Sequence, residues 1–237
     1  MMRFYLIRFP LFAFVVLAVL SSGCGSSKRA SETQGSERPA SSSAKDAGVP
    51  SEDGRRVIAA LGDSLTAGLG VDPADNYPSK LQRRLDAGSN KYRVVNAGVS
   101  GDTSAQGLSR LASVRALRPE FVILALGAND GLRGLPIEST RKNLETIITE
   151  LQRDGTRVVL AGMMIPPNYG PEYARAFRDV FPELAKKYRI PLIPFLLQGV
   201  AGDPVLNQPD GVHPTAQGYD IVADNVWRVL KPLLKEE

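Results

Sequence analysis

Phe121-Val122-Ile123-Leu124-Ala125-Leu126 is an unbroken apolar run of six residues. A strand with one wet face alternates apolar and polar residues, whereas a strand apolar at every position needs protein on both sides. The run therefore predicts a central parallel strand with helices packed above and below it. Shorter runs of the same kind recur at Val57–Leu61, which ends on Gly62, and at Val94-Val95, Val158–Leu160 and Leu192-Ile193. Helical spacing fills the intervals. Tyr77 to Leu85 is apolar at 77, 81 and 85, and Thr103 to Leu117 carries Leu108, Leu111, Val114 and Leu117 behind Thr103 as N-cap. Ser139 to Leu151, Tyr173 to Tyr188 and Thr215 to Leu234 follow the same period. Pro182 predicts a kink or a division of its helix, and Pro214 suits the first turn of the last one. Strict alternation of this kind argues for a three-layer α/β/α sandwich around a five-stranded parallel sheet, in flavodoxin-like strand order.

The first residues belong to something else. Arg3 and Arg8 precede an apolar stretch from Phe9 to Leu20, and Ser21-Ser22-Gly23 leads to Cys24, the single cysteine of the chain. A dozen apolar residues cannot span roughly 30 Å of hydrocarbon, so residues 1–23 read as an export signal rather than a membrane helix. Leu20-Ser21-Ser22-Gly23-Cys24 resembles a bacterial lipobox, although Leu20 stands one place earlier than the preferred leucine. The resemblance implies a lipidated Cys24 as mature N-terminus and a place in the bacterial cell envelope. Gly25 to Gly54 holds no aromatic residue and is rich in Ser, Gly, Ala and charge. Such a stretch buries too little apolar surface to offset its ordering entropy, so residues 24–54 are expected to be a disordered tether and 55–237 the folded domain.

From Arg55 onward the chain holds 23 Lys and Arg against 20 Asp and Glu. Without a basic block or a basic-aromatic ladder, nucleic acid is not an expected partner. No HExxH, clustered Cys/His or EF-hand spacing occurs, and no P-loop or GxGxxG, so neither a metal nor a nucleotide cofactor is expected. The domain is expected to act as a monomer.

Four polar clusters follow predicted strands: Gly62-Asp63-Ser64-Leu65, Ser100-Gly101-Asp102-Thr103, Gly127-Ala128-Asn129-Asp130, and Asp210-Gly211-Val212-His213. Segments scattered along the chain thus meet beyond the carboxyl ends of parallel strands, where open α/β sheets form their binding crevice. His213 is the only histidine. A serine hydroxyl needs an adjacent base to attack a carbonyl, and imidazole is the side chain whose ordinary pKa suits that work near neutrality. Ser64 and His213 are therefore the candidate nucleophile and base, with Asp210 spaced to orient the imidazole. Asp63 and Asp130 read as loop braces.

Taken together, these residues resemble the SGNH (GDSL) hydrolases, over essentially the whole domain from Arg56 to Leu234. The nearer likeness is to the bacterial thioesterase/lysophospholipase/arylesterase branch, through Ser100-Gly101-Asp102-Thr103-Ser104, Asn129-Asp130-Gly131-Leu132-Arg133-Gly134 and Pro167-Asn168-Tyr169-Gly170. Ala128 stands where that branch commonly has glycine. The resemblance implies Ser64, Asp210 and His213 as the triad. It implies an oxyanion hole made of the Ser64 and Gly101 N–H groups and the Asn129 amide.

The apolar stretch Met163 to Pro167 suggests a wall for an acyl chain. Met164, Ile165, Pro167 and Tyr169 are its candidate substrate contacts, and Phe195-Leu196-Leu197 is a candidate opposite wall. The expectation is a serine esterase acting on lysophospholipids, aryl esters or acyl thioesters. A carbohydrate O-acetylesterase is the alternative enzyme. A non-catalytic lipid- or partner-binding envelope lipoprotein is the alternative of another class.

Overall fold

The structure is a computed structural model and describes residues 54–88 and 91–234. The expected signal, Cys24 and the tether lie outside the described residues.

Five parallel strands form one sheet: β1 (Arg56–Gly62), β2 (Tyr92–Gly98), β3 (Phe121–Ala125), β4 (Arg157–Ala161) and β5 (Leu192–Ile193). Their order is β2-β1-β3-β4-β5, the expected flavodoxin-like arrangement. Crossovers are helical: α1 (Ser64–Ala67), α2 (Tyr77–Asp86), α3 (Ser104–Ser109), α4 (Leu111–Ala116), α5 (Ala128–Leu132), α6 (Ile137–Arg153), α7 (Pro171–Tyr188) and α8 (Ala216–Leu230). Every residue of β3 is buried, as its apolar run requires of a strand covered on both faces. The core continues through Leu144, Ile147, Ile148 and Leu151 of α6 and Phe177, Val180, Phe181 and Leu184 of α7.

Four local expectations need correction. Pro182 does not divide its helix in two; α7 runs through it without interruption. Pro182 and Arg178, four residues earlier, both lie on the exposed face. The carbonyl that proline leaves without an N–H partner can therefore be solvated. Pro214 lies outside α8, whose N-cap is Thr215, and it pairs instead with Asn207 in an isolated antiparallel bridge. The last helix stops at Leu230 and continues as a 3₁₀ turn over Lys231–Leu233, with Pro232 inside that turn.

The fourth departure concerns the helix read from Thr103 to Leu117. Thr103 does cap it, in a full capping box with Gln106. Yet the helix breaks at Arg110, which leaves helical geometry at φ −104° and ψ 10° and separates α3 from α4. The periodicity of Leu108, Leu111, Val114 and Leu117 carries no sign of that joint.

Candidate active site

Ser64 is the first residue of α1, immediately past the carboxyl end of β1. The turn is tight because both strand ends are glycine. A Cβ on Gly62 would stand 2.0 Å from Thr66 Oγ1, and one on Gly98 would stand 2.3 Å from the Ala67 nitrogen. Asp63 caps α1 by accepting the Leu65 N–H at 3.0 Å. Ser64 itself is 8% exposed, open enough to meet a ligand and otherwise enclosed.

His213 arrives from the long segment between β5 and α8. Its Nε2 lies 2.8 Å from Ser64 Oγ, and its Nδ1 lies 2.7 Å from Asp210 Oδ2. Asp210 Oδ1 accepts two backbone N–H groups, from Val212 at 2.9 Å and from His213 at 3.0 Å. These two backbone bonds and the imidazole hold its carboxyl down at about 2, so it is a carboxylate. A carboxylate only accepts, so the imidazole proton sits on Nδ1. That leaves the Nε2 lone pair to receive the Ser64 hydroxyl proton. The three groups form one directed line, and their order is set by chemistry.

Gln208, which carried no signal in the sequence, ties this loop to the first one. Its amide N–H groups donate to Leu69 O at 2.7 Å and Pro214 O at 2.9 Å, and its backbone N–H donates to His213 O at 2.7 Å.

Gly101 adopts φ +86°, in the left-handed region. A Cβ there would meet nothing nearer than Arg133 Nη2 at 3.9 Å, so the backbone conformation rather than crowding favours glycine. Among the described residues, neither the Ser64 nor the Gly101 N–H is taken up by a hydrogen bond. Both are available donors. The Asn129 amide donates to Asp102 O at 3.0 Å and to Asp63 Oδ2 at 3.3 Å. Asn129 is thereby bonded to the residue beside Gly101 and to the residue beside Ser64. The three expected oxyanion donors lie on loops that touch one another.

The two flanking carboxylates brace these loops, as expected. Asp130 is buried and accepts the Ser104 N–H at 2.7 Å, the Ser104 hydroxyl at 2.5 Å and the Thr140 hydroxyl at 3.2 Å, pinning α3 and α6 to α5. Asp63 is 1% exposed, and burial pushes its carboxyl up to about 6 against the opposing pull of the Leu65 N–H and the Asn129 amide. Burial also raises the phenol of Tyr77, whose hydroxyl meets Thr66 Oγ1 at 3.1 Å behind the nucleophile turn.

The expected acyl wall divides. Met163 and Ile165 pack with the core, Met163 inside it and Ile165 half-buried against it. Met164, Pro167 and Tyr169 are exposed. Leu196 and Leu197 are core residues, and Phe195 is half-buried against them, so the candidate opposite wall is largely interior. Among the described residues, the exposed large apolar side chains are Leu69, Val99, Leu132, Met164, Tyr169, Val205 and Val212. All seven lie in segments that follow the carboxyl ends of strands. Apolar surface is thus concentrated on the edge that carries Ser64 and His213.

Residues 60–221 match the GDSL-like lipase/acylhydrolase family. The chain is 42% identical over 180 residues to esterase TesA of Pseudomonas aeruginosa, covering 76% of this chain and 90% of that protein. It is 38% identical over 178 residues to thioesterase 1/protease 1/lysophospholipase L1 of Escherichia coli strain K12, covering 75% and 84%. A crystal structure of TesA superposes with a TM-score of 0.73 at 42% identity, covering 76% of this chain and all of that one. A parallel sheet with a Ser–His–Asp line at its carboxyl edge, and a family match spanning all but the ends of that sheet's domain, lead to one assignment: the chain belongs to the GDSL-like lipase/acylhydrolase family.

Proposed function

We propose that the protein is a serine esterase that cleaves carboxylic acyl esters and thioesters through an acyl-Ser64 intermediate. The observation that carries this reading is the Ser64–His213–Asp210 line, with links of 2.8 and 2.7 Å. Ser64 Oγ attacks the carbonyl carbon while its proton passes to His213 Nε2, and Asp210 stabilises the imidazolium that forms. The oxyanion is held by the Ser64 and Gly101 N–H groups and by the Asn129 amide, one of whose N–H groups exchanges its 3.3 Å bond to Asp63 Oδ2 for the oxyanion. Collapse expels the alcohol or thiol, which takes the proton from His213. Water, deprotonated in turn by His213, then releases the acid and restores Ser64.

The named activities of the relatives cover esters, thioesters and lysophospholipids. The apolar side chains on the catalytic edge favour substrates with an extended acyl chain over acetyl sugars. An export signal over residues 1–23 and lipidation of Cys24 would hold a monomeric domain in the cell envelope, away from cytosolic acyl-CoA. Ester and lysophospholipid cleavage is then the physiological reaction. Replacing Cys24 with Ser is expected to release the protein from membranes, and undiminished membrane association would refute the anchor.

The deciding experiment is an acyl-chain-length series of p-nitrophenyl esters on wild type and Ser64→Ala. Hydrolysis by wild type that Ser64→Ala abolishes is the expected result. Hydrolysis that survives Ser64→Ala would overturn the mechanism, and no hydrolysis of any ester by wild type would favour a binding role. Activity confined to acetyl sugars would move the assignment to a carbohydrate O-acetylesterase.

A further inference from the structure

The joint at Arg110 breaks a helix that its apolar spacing would have continued, and the side chain released there turns to three acceptors at the catalytic edge. Nε–H donates to Asp102 Oδ2 at 2.6 Å, an Nη1–H to Ala97 O at 2.7 Å and an Nη2–H to Gly62 O at 2.7 Å. Gly62 ends β1, Ala97 is the last residue but one of β2, and Asp102 follows Gly101 in the next loop. The Asp102 and Arg110 side chains are 8% and 21% exposed, so these bonds are largely shielded from water.

We infer that Arg110 is a positioning residue for acyl transfer, its guanidinium holding the Gly101 loop and the Asn129 amide in register with Ser64. The inference rests on the esterase reading above.

Two bonds of the fork lead toward reacting groups. Gly62 O is two residues before Ser64, and it also accepts the Val99 N–H at 3.1 Å. The Asp102 backbone carbonyl accepts the Asn129 amide at 3.0 Å, while the Asp102 side chain is held by Arg110. Fixing Asp102 therefore fixes both the peptide that follows Gly101 and the acceptor that aims Asn129. The donors on three separate loops are referred to one rigid, planar cation.

The residue type fits that task. Guanidinium presents five N–H donors in a fixed fork and stays charged at every working pH. An ammonium is a point charge on a flexible stem and cannot reproduce three divergent bonds in one plane. Carbonyl oxygens at the ends of β1 and β2, together with the Asp102 carboxylate, supply a negative setting for it. Preorganised donors matter most where charge develops, because misplacing them costs transition-state stabilisation while ground-state binding is retained.

A plain staple between β1 and β2 would affect folding and leave the chemistry of folded molecules alone. The two roles separate in the full-length protein carrying Arg110→Ala or Arg110→Lys, assayed on p-nitrophenyl acetate after melting curves fix the folded fraction. Positioning predicts a kcat lower by roughly 10²-fold per folded molecule, with KM within about twofold of wild type. Added methylguanidinium should restore part of kcat to Arg110→Ala. Arg110→Lys, which keeps the charge, should fold like wild type and still lose more than about tenfold in kcat. Activity per folded molecule equal to wild type in both variants would overturn the inference.

A second readout is independent of turnover. The Gly101 backbone and Asn129 side-chain amide resonances should move in ¹⁵N-labelled Arg110→Lys, and unchanged resonances would overturn the inference whatever the rates. If wild type hydrolyses no ester, the esterase reading fails by itself, and these resonances alone decide whether Arg110 sets the loops.

Discussion

Asp210 grips His213 from two sides, its Oδ2 accepting the imidazole Nδ1–H at 2.7 Å and its Oδ1 accepting the His213 backbone N–H at 3.0 Å. The second bond closes a turn that places the ring; the first selects its tautomer. Asp210→Asn keeps the shape and presents an N–H where the carboxylate stood, so Nδ1 no longer donates and Nε2 tends to carry the proton. In serine proteases the equivalent change costs about 10⁴ in kcat. A loss of roughly 10²- to 10⁴-fold in kcat, with KM little changed, is expected here in steady-state assays. Wild-type kcat in Asp210→Asn would remove Asp210 from the catalytic line.

Asp63 gives a pH signature of the opposite kind. Its carboxyl rises from 3.8 in the open chain to about 6 in the folded one, chiefly because it is buried. Between those values the native state holds a proton that the unfolded chain has released, so stability falls as pH rises through the window. The contribution is fully present below 3.8 and lost above about 6. At 1.36 kcal/mol per pKa unit, the difference amounts to about 3 kcal/mol. Urea unfolding of wild type and Asp63→Asn at pH 4 and pH 7 tests it. The variant should gain about 2 kcal/mol relative to wild type between pH 4 and pH 7, since part of the effect is already lost at pH 4. A pH-independent difference between the two would contradict the burial effect.

The sheet and its order were legible because burial on both faces leaves a direct mark, the uninterrupted apolar run from Phe121 to Leu126. The Ser64–His213–Asp210 line was legible for another reason: a single histidine leaves no choice of imidazole. What stayed hidden is what side chains do across elements. Arg110 sits at a helical position by period, and its role depends on carbonyls at the ends of two strands distant in sequence. Gln208 depends likewise on a contact with Leu69. The acyl wall failed in part for the converse reason: Leu196 and Met163 are apolar in either setting, and composition does not tell a pocket lining from a core.

Gly101 makes a separable prediction. At φ +86° an L-residue with a Cβ is strained by roughly 1–2 kcal/mol, although the space around it is open. Gly101→Ala should lower stability by about that amount in urea unfolding. If the backbone relaxes away from the left-handed region, its N–H turns from the oxyanion position, and kcat should fall by up to roughly 10²-fold. Full activity in a variant that is not destabilised, and whose backbone has therefore left the left-handed region, would show that this N–H is not a required donor.

The acyl-chain prediction rests on Tyr169. Its ring is exposed on the catalytic edge, packs edge-on against Tyr173 at 5.7 Å between centroids, and donates its hydroxyl to Leu132 O at 3.4 Å. It also lies over Gly134, where a Cβ would stand 2.8 Å from the ring. A ring held this way offers an apolar face that a long acyl chain can cover and that an acetyl group, with its single methyl, cannot. Tyr169→Ser should therefore reduce kcat/KM for p-nitrophenyl octanoate by about tenfold, in keeping with the 1–3 kcal/mol that a hydrophobic pocket discriminates. The acetate ester should change by less than about twofold, since the variant forfeits only methylene contacts worth about 0.8 kcal/mol each. Equal losses on both esters would make Tyr169 a support for the Gly134 turn, and its role in chain-length selection would fall.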